Sequence, residues 1–203
     1  MKDKSIKRVL VLGSGPIRIG QAAEFDYAGS QACRALKEEG CEVILLNSNP
    51  ATIQTDLTVA DIVCIKPLLP EVVEDVLKEY RPDGVVATLG GQTGLNLCME
   101  CGKRGMWENY GCKVLGTQPE AIERAEGREP FRRAMIGAGQ PIIASRGISS
   151  VAEAQEFAMH SPLPLILRPD FTLGGSGNSV VRNIEDFVVR VEDALTASPV
   201  GWA

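Results

Sequence analysis

Histidine is almost missing from this chain: His160 is the only one in 203 residues. A single imidazole excludes most histidine-based catalytic triads and histidine-rich metal sites. An excess of positive charge is missing too, since 21 Lys+Arg face 26 Asp+Glu for a net charge of −5. A general nucleic-acid binder needs a basic surface for phosphate contacts, so that class is disfavoured. Long apolar runs are absent. The N-terminus, Met1 to Lys7, is polar, and the first apolar run, Val9–Leu12, is too short for a signal-peptide core or a membrane span. The chain therefore reads as cytoplasmic, with no membrane segment. It has no internal repeat and no low-complexity stretch.

The composition that remains, 44% hydrophobic and 23% charged, belongs to a globular protein and excludes a disordered chain, a collagen-like repeat or a coiled coil. The length suits one large domain or one and a half typical ones, and such a chain buries roughly 70% of its unfolded surface without needing a disulfide or metal. The six cysteines, Cys33, Cys41, Cys64, Cys98, Cys101 and Cys112, sit among apolar or helical residues and read as buried thiols. Cys98 and Cys101 form a C-x-x-C, but with no second pair and no histidine near in sequence they read as packed helix cysteines, not a zinc or redox pair.

Strands and helices alternate from the start. Arg8–Leu12 is a strand broken by Gly13-Ser14-Gly15-Pro16, and Ala22, Phe25, Ala28, Ala32 and Leu36 recur at helical spacing up to Gly40. Val43–Leu46 and Ile62–Ile65 are strands. Pro70 opens a helix to Tyr80, Val85–Leu89 is a strand, Thr93–Gly102 a helix and Lys113–Leu115 a fifth strand. This pattern implies βαβ units and a parallel sheet, with ligands expected beyond the carboxyl ends of the strands. Three segments fall there: Gly13 to Gln21, Asn47 to Asp56 and Gly90 to Asn96. After Gly116 the pattern changes to two short helices, Pro119–Ala125 and Pro130–Gly137. A strand, a capping-box helix from Ser150 to His160, the strand Leu165–Leu167, a glycine-rich loop, the strand Ser179–Val181 and a helix capped by Asn183 follow.

Two glycine-rich segments are candidates for phosphate chemistry. Gly13-Ser14-Gly15-Pro16-Ile17-Arg18-Ile19-Gly20-Gln21 follows a strand and opens a helix, but its glycine spacing departs from G-x-G-x-x-G and Asn47 stands where a ribose-binding acid is expected. It reads either as a dinucleotide cradle, hence a Rossmann-type oxidoreductase, or as a tight turn. In the second, a strand delivers Arg168, and Pro169-Asp170-Phe171-Thr172-Leu173-Gly174-Gly175-Ser176-Gly177-Asn178 follows. Glycines let backbone N–H groups approach phosphate oxygens, and an arginine holds a phosphate at two points. The competing reading is a hairpin turn with a surface arginine. Taken alone, Arg128 is a solvated helix arginine, and Glu24 and Asp26 are acids of a helix first turn.

These segments, taken in order, resemble the carbamoyl-phosphate synthase large subunit family, in its N-terminal, carboxyphosphate-forming half. The motifs are Gly13 to Gln21 with Glu24-Phe25-Asp26-Tyr27, Asn47-Ser48-Asn49-Pro50-Ala51-Thr52-Ile53, Gly90-Gly91-Gln92-Thr93, and Arg168-Pro169 with Gly174-Gly175-Ser176-Gly177. The resemblance implies an α/β fold: a parallel-sheet, Rossmann-like pre-ATP-grasp domain over 1–117, a helical linker over 118–127, and the first lobe of an ATP-grasp domain over 128–203. It implies an ATP-dependent carbon–nitrogen ligase in which ATP phosphorylates bicarbonate and ammonia converts carboxyphosphate to carbamate, on the way to carbamoyl phosphate for arginine and pyrimidine synthesis. Arg128, Arg168, Gly174 and Gly175 match ATP-contacting positions, and Gln21, Ala22 and Glu24 lie where the family lines its ammonia route. ATP and Mg²⁺ are the implied cofactors, with the metal ligands outside this chain. The implied partners are the rest of the large subunit and a glutaminase small subunit.

The sequence departs from that pattern at Gly127, where the family has an acid, and at Pro130. Asp170 replaces serine and puts a negative charge near an expected phosphate. Asn178-Ser179 replace two glycines and stiffen the loop. The chain alone is expected to be inactive. A catalytically dead nucleotide- or anion-binding module is the alternative of a different class.

Overall fold

The computed structural model describes residues 3–16, 22–170, 177–198 and 201–203. The chain forms two compact units, Met1–Ile122 and Glu123–Ala203. The first holds β1 (Arg8–Leu12), α1 (Ala22–Glu38), β2 (Glu42–Asn47), β3 (Ile62–Ile65), α2 (Pro70–Tyr80), β4 (Gly84–Val86), α3 (Gly91–Lys103), α4 (Met106–Asn109) and β5 (Lys113–Val114). The strands make one parallel sheet in the order β3-β2-β1-β4-β5. Its register places Leu10 between Ile44 and Val85.

Side chains alternate across a strand, and here both faces are covered. Leu10, Leu12, Ile44, Leu46 and Val85 face one way, into a core with Val73, Val76 and Leu77 of α2 and Leu97, Cys98 and Cys101 of α3. Val11, Val43 and Leu45 face the other way, with Cys33 of α1, Val59 and Ala60. The near-continuous apolar runs read from sequence are the signature of such a doubly covered sheet. Asp83 fixes the sheet's lower edge by accepting the backbone N–H groups of Lys7 and Arg8, each at 2.8 Å.

All six cysteines are free and buried. Cys98 and Cys101 lie in the packed core, where burial pushes their thiols up to about 11 and about 12. The indole N–H of Trp107, on α4, donates to the Cys98 carbonyl at 3.0 Å.

The second unit contains α6 (Arg128–Gly137), α7 (Val151–Ala158), β6 (Leu165–Leu167), β7 (Ser179–Val181) and α8 (Phe187–Ala197). Helix α5 (Pro119–Glu126) spans the division between the units. Strands β6 and β7 pair antiparallel, Leu165 with Val181 and Leu167 with Ser179. Their inner face packs with Ile148, Ala154, Phe187, Val191 and Ala194.

Several elements differ from the sequence reading. Strand β4 stops at Val86, because Thr88–Gly90 coils into a 3-10 turn and returns the Gly90 N–H to the Ala87 carbonyl at 3.1 Å. The strand expected before Ser150 does not form. Pro141 has no N–H to donate, and of that stretch Ile148 alone exchanges backbone bonds with a distant partner, Ala203. Asn183 makes no side-chain cap, and a 3-10 turn over Ile184–Asp186 intervenes before α8. The capping box at α7 is offset by one residue. Ser150 accepts from the Glu153 N–H, but Glu153 reaches back to the Ser149 N–H at 2.7 Å.

Candidate functional site

Strand order reverses between β1 and β4, the place where an open parallel sheet offers a ligand crevice. There the backbone after β4 packs closely on the end of β1. A Cβ on Gly90 would run into the carbonyl oxygens of Leu12 and Gly13, and one on Gly94 would stand 2.7 Å from the Ala87 carbonyl oxygen. Asn47, at the end of β2, is fully buried. Its Nδ2 donates to Gln54 Oε1 at 3.1 Å and its Oδ1 accepts from the Asn49 N–H at 3.1 Å. Gln54, also fully buried, donates to the Phe25 carbonyl at 2.7 Å. The side chain that would meet a ribose in a dinucleotide fold is instead committed to bracing the segment after β2, which Gln54 ties to α1. Asp26 bonds Thr52 in the same network. Ala22 is the first residue of α1, and Glu24 is an exposed acid in its first turn. Gln21 lies outside the described residues.

The second unit gathers the charged groups. Gly127 is the N-cap of α6, and a Cβ there would stand 2.9 Å from the Glu123 carbonyl oxygen and 3.0 Å from the Pro130 ring. The acid that the resemblance leads one to expect at this position has no room, and Pro130 occupies the helix's first turn, where it gives up no internal hydrogen bond. Arg128 follows. Its Nη2 donates to the Pro169 carbonyl at 3.0 Å, and its Nε stands 2.9 Å from Asp170 Oδ1. Both Nε and Oδ1 are buried, yet neither makes an aligned hydrogen bond. Burial, then the charge of Arg168, depresses the Arg128 pKa against the pull of Asp170. Burial raises that of Asp170 against the pull of Arg128. Each partner is thus shifted toward its neutral form, so desolvation outweighs their attraction.

Arg128 thus bonds the chain directly after Arg168, which stands exposed just beyond β6. Glu129 takes the other arginines of α6, pairing with Arg133 at 3.0 Å and Arg132 at 3.6 Å. Asp170 is fixed through its backbone: its N–H donates to the Trp202 carbonyl at 2.9 Å, and Ser198 Oγ donates to its carbonyl at 3.2 Å. At the far end of the glycine-rich segment, Gly177 has φ +73°, and a Cβ there would stand 2.5 Å from Ala197 and 2.9 Å from Pro169. Gly174 and Gly175 lie outside the described residues. Sequence reading treated Asp170 only as a charge near phosphate. That it faces Arg128 across 42 residues of chain has no local signature. Among the described residues no three His, Cys, Asp or Glu side chains cluster as a metal site, and no helix is long and apolar enough to cross a membrane.

Comparison with known proteins adds the following. The carbamoyl phosphate synthase preATP-grasp domain matches residues 5–124, and the carbamoyl-phosphate synthase L chain, ATP binding domain, matches residues 127–203. The carbamoyl phosphate synthase large chain of Methanothrix thermoacetophila is 51% identical over 199 residues, which are 98% of this chain and 18% of that protein. The carbamoyl phosphate synthase large chain, N-terminal section, of Aquifex aeolicus is 50% identical over 98% of this chain and 36% of that protein. The chain thus spans about a fifth to a third of these relatives. Among solved structures, the biotin carboxylase domain of Hydrogenobacter thermophilus 2-oxoglutarate carboxylase, in complex with MgADP, ADP and bicarbonate, superposes with a TM-score of 0.69. It is 23% identical over 96% of this chain and 42% of its own. An ADP complex of N5-carboxyaminoimidazole ribonucleotide synthetase gives 0.64 at 17% identity over 94% of this chain and 45% of its own. At these identities the two likenesses speak to the fold alone.

Proposed function

The chain belongs to the carbamoyl phosphate synthase large chain family, and from that premise we propose that it forms part of the site where ATP activates bicarbonate. In this reading a bicarbonate oxygen bonds to the γ-phosphorus as ADP leaves, giving carboxyphosphate. Ammonia then bonds to its carbonyl carbon as phosphate leaves, giving carbamate. A second phosphorylation, elsewhere in a large chain, yields carbamoyl phosphate for arginine and pyrimidine synthesis. The reaction belongs to the cytoplasm.

The observation that supports this most is the bond from Arg128 Nη2 to the carbonyl of Pro169, the residue that follows Arg168, within the residues matched by the ATP binding domain. Arg128 Nε–H, buried without an aligned acceptor, suits a phosphate oxygen, and exposed Arg168 supplies a second charge. These groups bind and orient the polyphosphate and neutralise charge that develops on it. Gly174 and Gly175 contribute backbone N–H groups. Mg²⁺, when bound, neutralises the phosphoryl oxygens, and its ligands come from the remainder of a large chain. Ammonia reaches the site from a glutaminase subunit past Gln21, Ala22 and Glu24.

The test is to exchange these 203 residues for the matching section of the Methanothrix large chain. The chimera is expected to cleave ATP in a bicarbonate-dependent manner, Arg168→Ala to abolish that activity, and the chain alone to show none. An active Arg168→Ala chimera overturns the site assignment. One observation favours a second reading, an anion-binding module without catalysis: Asp170 stands at Arg128, where phosphate is expected. A folded but inactive chimera that still binds ATP supports it.

A further inference from the structure

We propose that Asp170 is a tethered anion that competes with polyphosphate for Arg128, so that exchange of this one carboxylate sets the affinity of the site. The inference rests on the nucleotide-site reading above and adds a determinant of its affinity.

Three observations carry it. The first is the quality of the contact. Arg128 Nε and Asp170 Oδ1 are 2.9 Å apart, buried and misaligned, so the pair is held by charge without the directed hydrogen bonds of a matched guanidinium–carboxylate fork. A phosphate oxygen free to choose its position gains the alignment that this carboxylate lacks. The second is the tether. The backbone of Asp170 is bonded on one side to the Trp202 carbonyl and on the other to Ser198 Oγ, so its carboxylate stays at Arg128 unless the side chains themselves rotate. The third is the charge balance. Arg168 presses on Arg128, and Asp170 supplies one negative charge against these two positive ones. An anion carrying several charges neutralises the cluster better than Asp170 does. Glu129 offers no substitute, because it is paired with Arg132 and Arg133.

Removing a unit charge within several ångströms of a bound polyphosphate is worth roughly ten-fold or more in affinity at a part-buried site. The experiment titrates metal-free inorganic tripolyphosphate into the purified 203-residue chain and into Asp170→Asn and Asp170→Ser, by calorimetry, with melting of the free proteins as the check on folding. Both variants are expected to bind at least about ten-fold tighter than the parent. If Asp170→Asn does not fold, Asp170→Ser decides. Equal binding by the folded variants and the parent overturns the tethered-anion inference and leaves the phosphate site standing. Weaker binding overturns it in favour of Asp170 as a positioning residue that orients Arg128. Absence of binding in all three overturns this inference together with the nucleotide-site reading.

Discussion

In the first unit the buried side chains Asn47 and Gln54 are partnered with one another, whereas in the second Arg128 and Asp170 face each other without alignment. Asn47, Gln54 and Thr55 at the sheet's carboxyl edge are hydrogen-bonded among themselves and to backbone carbonyls. Among the described residues, the buried side-chain polar atoms that lack a partner are Arg128 Nε, Arg132 Nε, Asp170 Oδ1 and Ser179 Oγ, all in the second unit. Both units have sealed apolar cores. The difference lies in what their polar groups are for. A fully paired network makes a rigid scaffold, and in the first unit Asn47 and Gln54 brace the segment after β2 and tie it to α1. Groups left unpaired in a core carry a desolvation cost that a ligand can remove.

The largest expected effects test the half of this comparison in which the units are alike. The two tryptophans report separately, Trp107 buried in the first unit and Trp202 packed on Gly147 in the second. Ile44→Ala, at a fully buried site, should cost the first unit about 2–5 kcal/mol, followed at Trp107 in urea. Phe187→Ala should cost the second about 3–5 kcal/mol, followed at Trp202. A much smaller loss from Phe187→Ala would mean that the second unit is loosely packed, and its unpaired polar atoms would then have a trivial cause. The units should diverge at the next step. Gln54→Leu leaves Asn47 Nδ2 buried and unpaired, for a loss of about 1–3 kcal/mol at Trp107.

How much of this was legible in the sequence follows the same division. The bounds of β1, β3, α2, β6 and β7 could be read directly, because short apolar runs between glycine, proline and charged residues carry their own punctuation. The early end of β4 could not, since it depends on the close approach of Gly90 to β1, a tertiary fact. Helix α4 was missed because Met106–Asn109 is a single turn, too short to show a period. At the candidate site, Arg168 and its glycines were visible as a strand followed by a loop. Arg128 looked like any helix arginine, and only the fold shows that it meets Pro169 and Asp170. Local chemistry is written locally; a pairing across two elements is not.

A smaller effect separates the units by pH. Asp61, in the first, accepts the Val43 N–H at 2.8 Å, and that bond, with Lys37 beside it, holds its pKa below 3.8. Its stabilisation is complete above the ordinary carboxylate value and is lost as pH falls below it toward the folded-state value. Asp170 has the opposite sign. Its pKa is held above 3.8 by burial, so its ionisation opposes folding, and the penalty grows in as pH rises from 3.8 through the folded-state value. Asp61→Asn should therefore flatten the acid-side decline read at Trp107. Asp170→Asn should remove the decline toward neutral pH read at Trp202 and leave the second unit no less stable at pH 7. Identical pH slopes at both tryptophans in the parent chain would contradict this assignment of opposite signs.

The smallest effect is the most discriminating. Ser179 Oγ, at the start of β7 opposite Leu167, is buried and bonded to nothing. A hydroxyl in that condition has already lost its water and gained no partner, so replacing it by a methyl group removes a penalty and breaks no bond. Ser179→Ala should leave stability at Trp202 within about 0.5 kcal/mol of the parent or raise it. Set beside Gln54→Leu, this is the comparison in its sharpest form, since both variants delete a buried polar group. If Ser179→Ala costs as much as Gln54→Leu, the hydroxyl has a structural partner, and the contrast between a satisfied scaffold and an unsatisfied site fails at the position where it is simplest to measure.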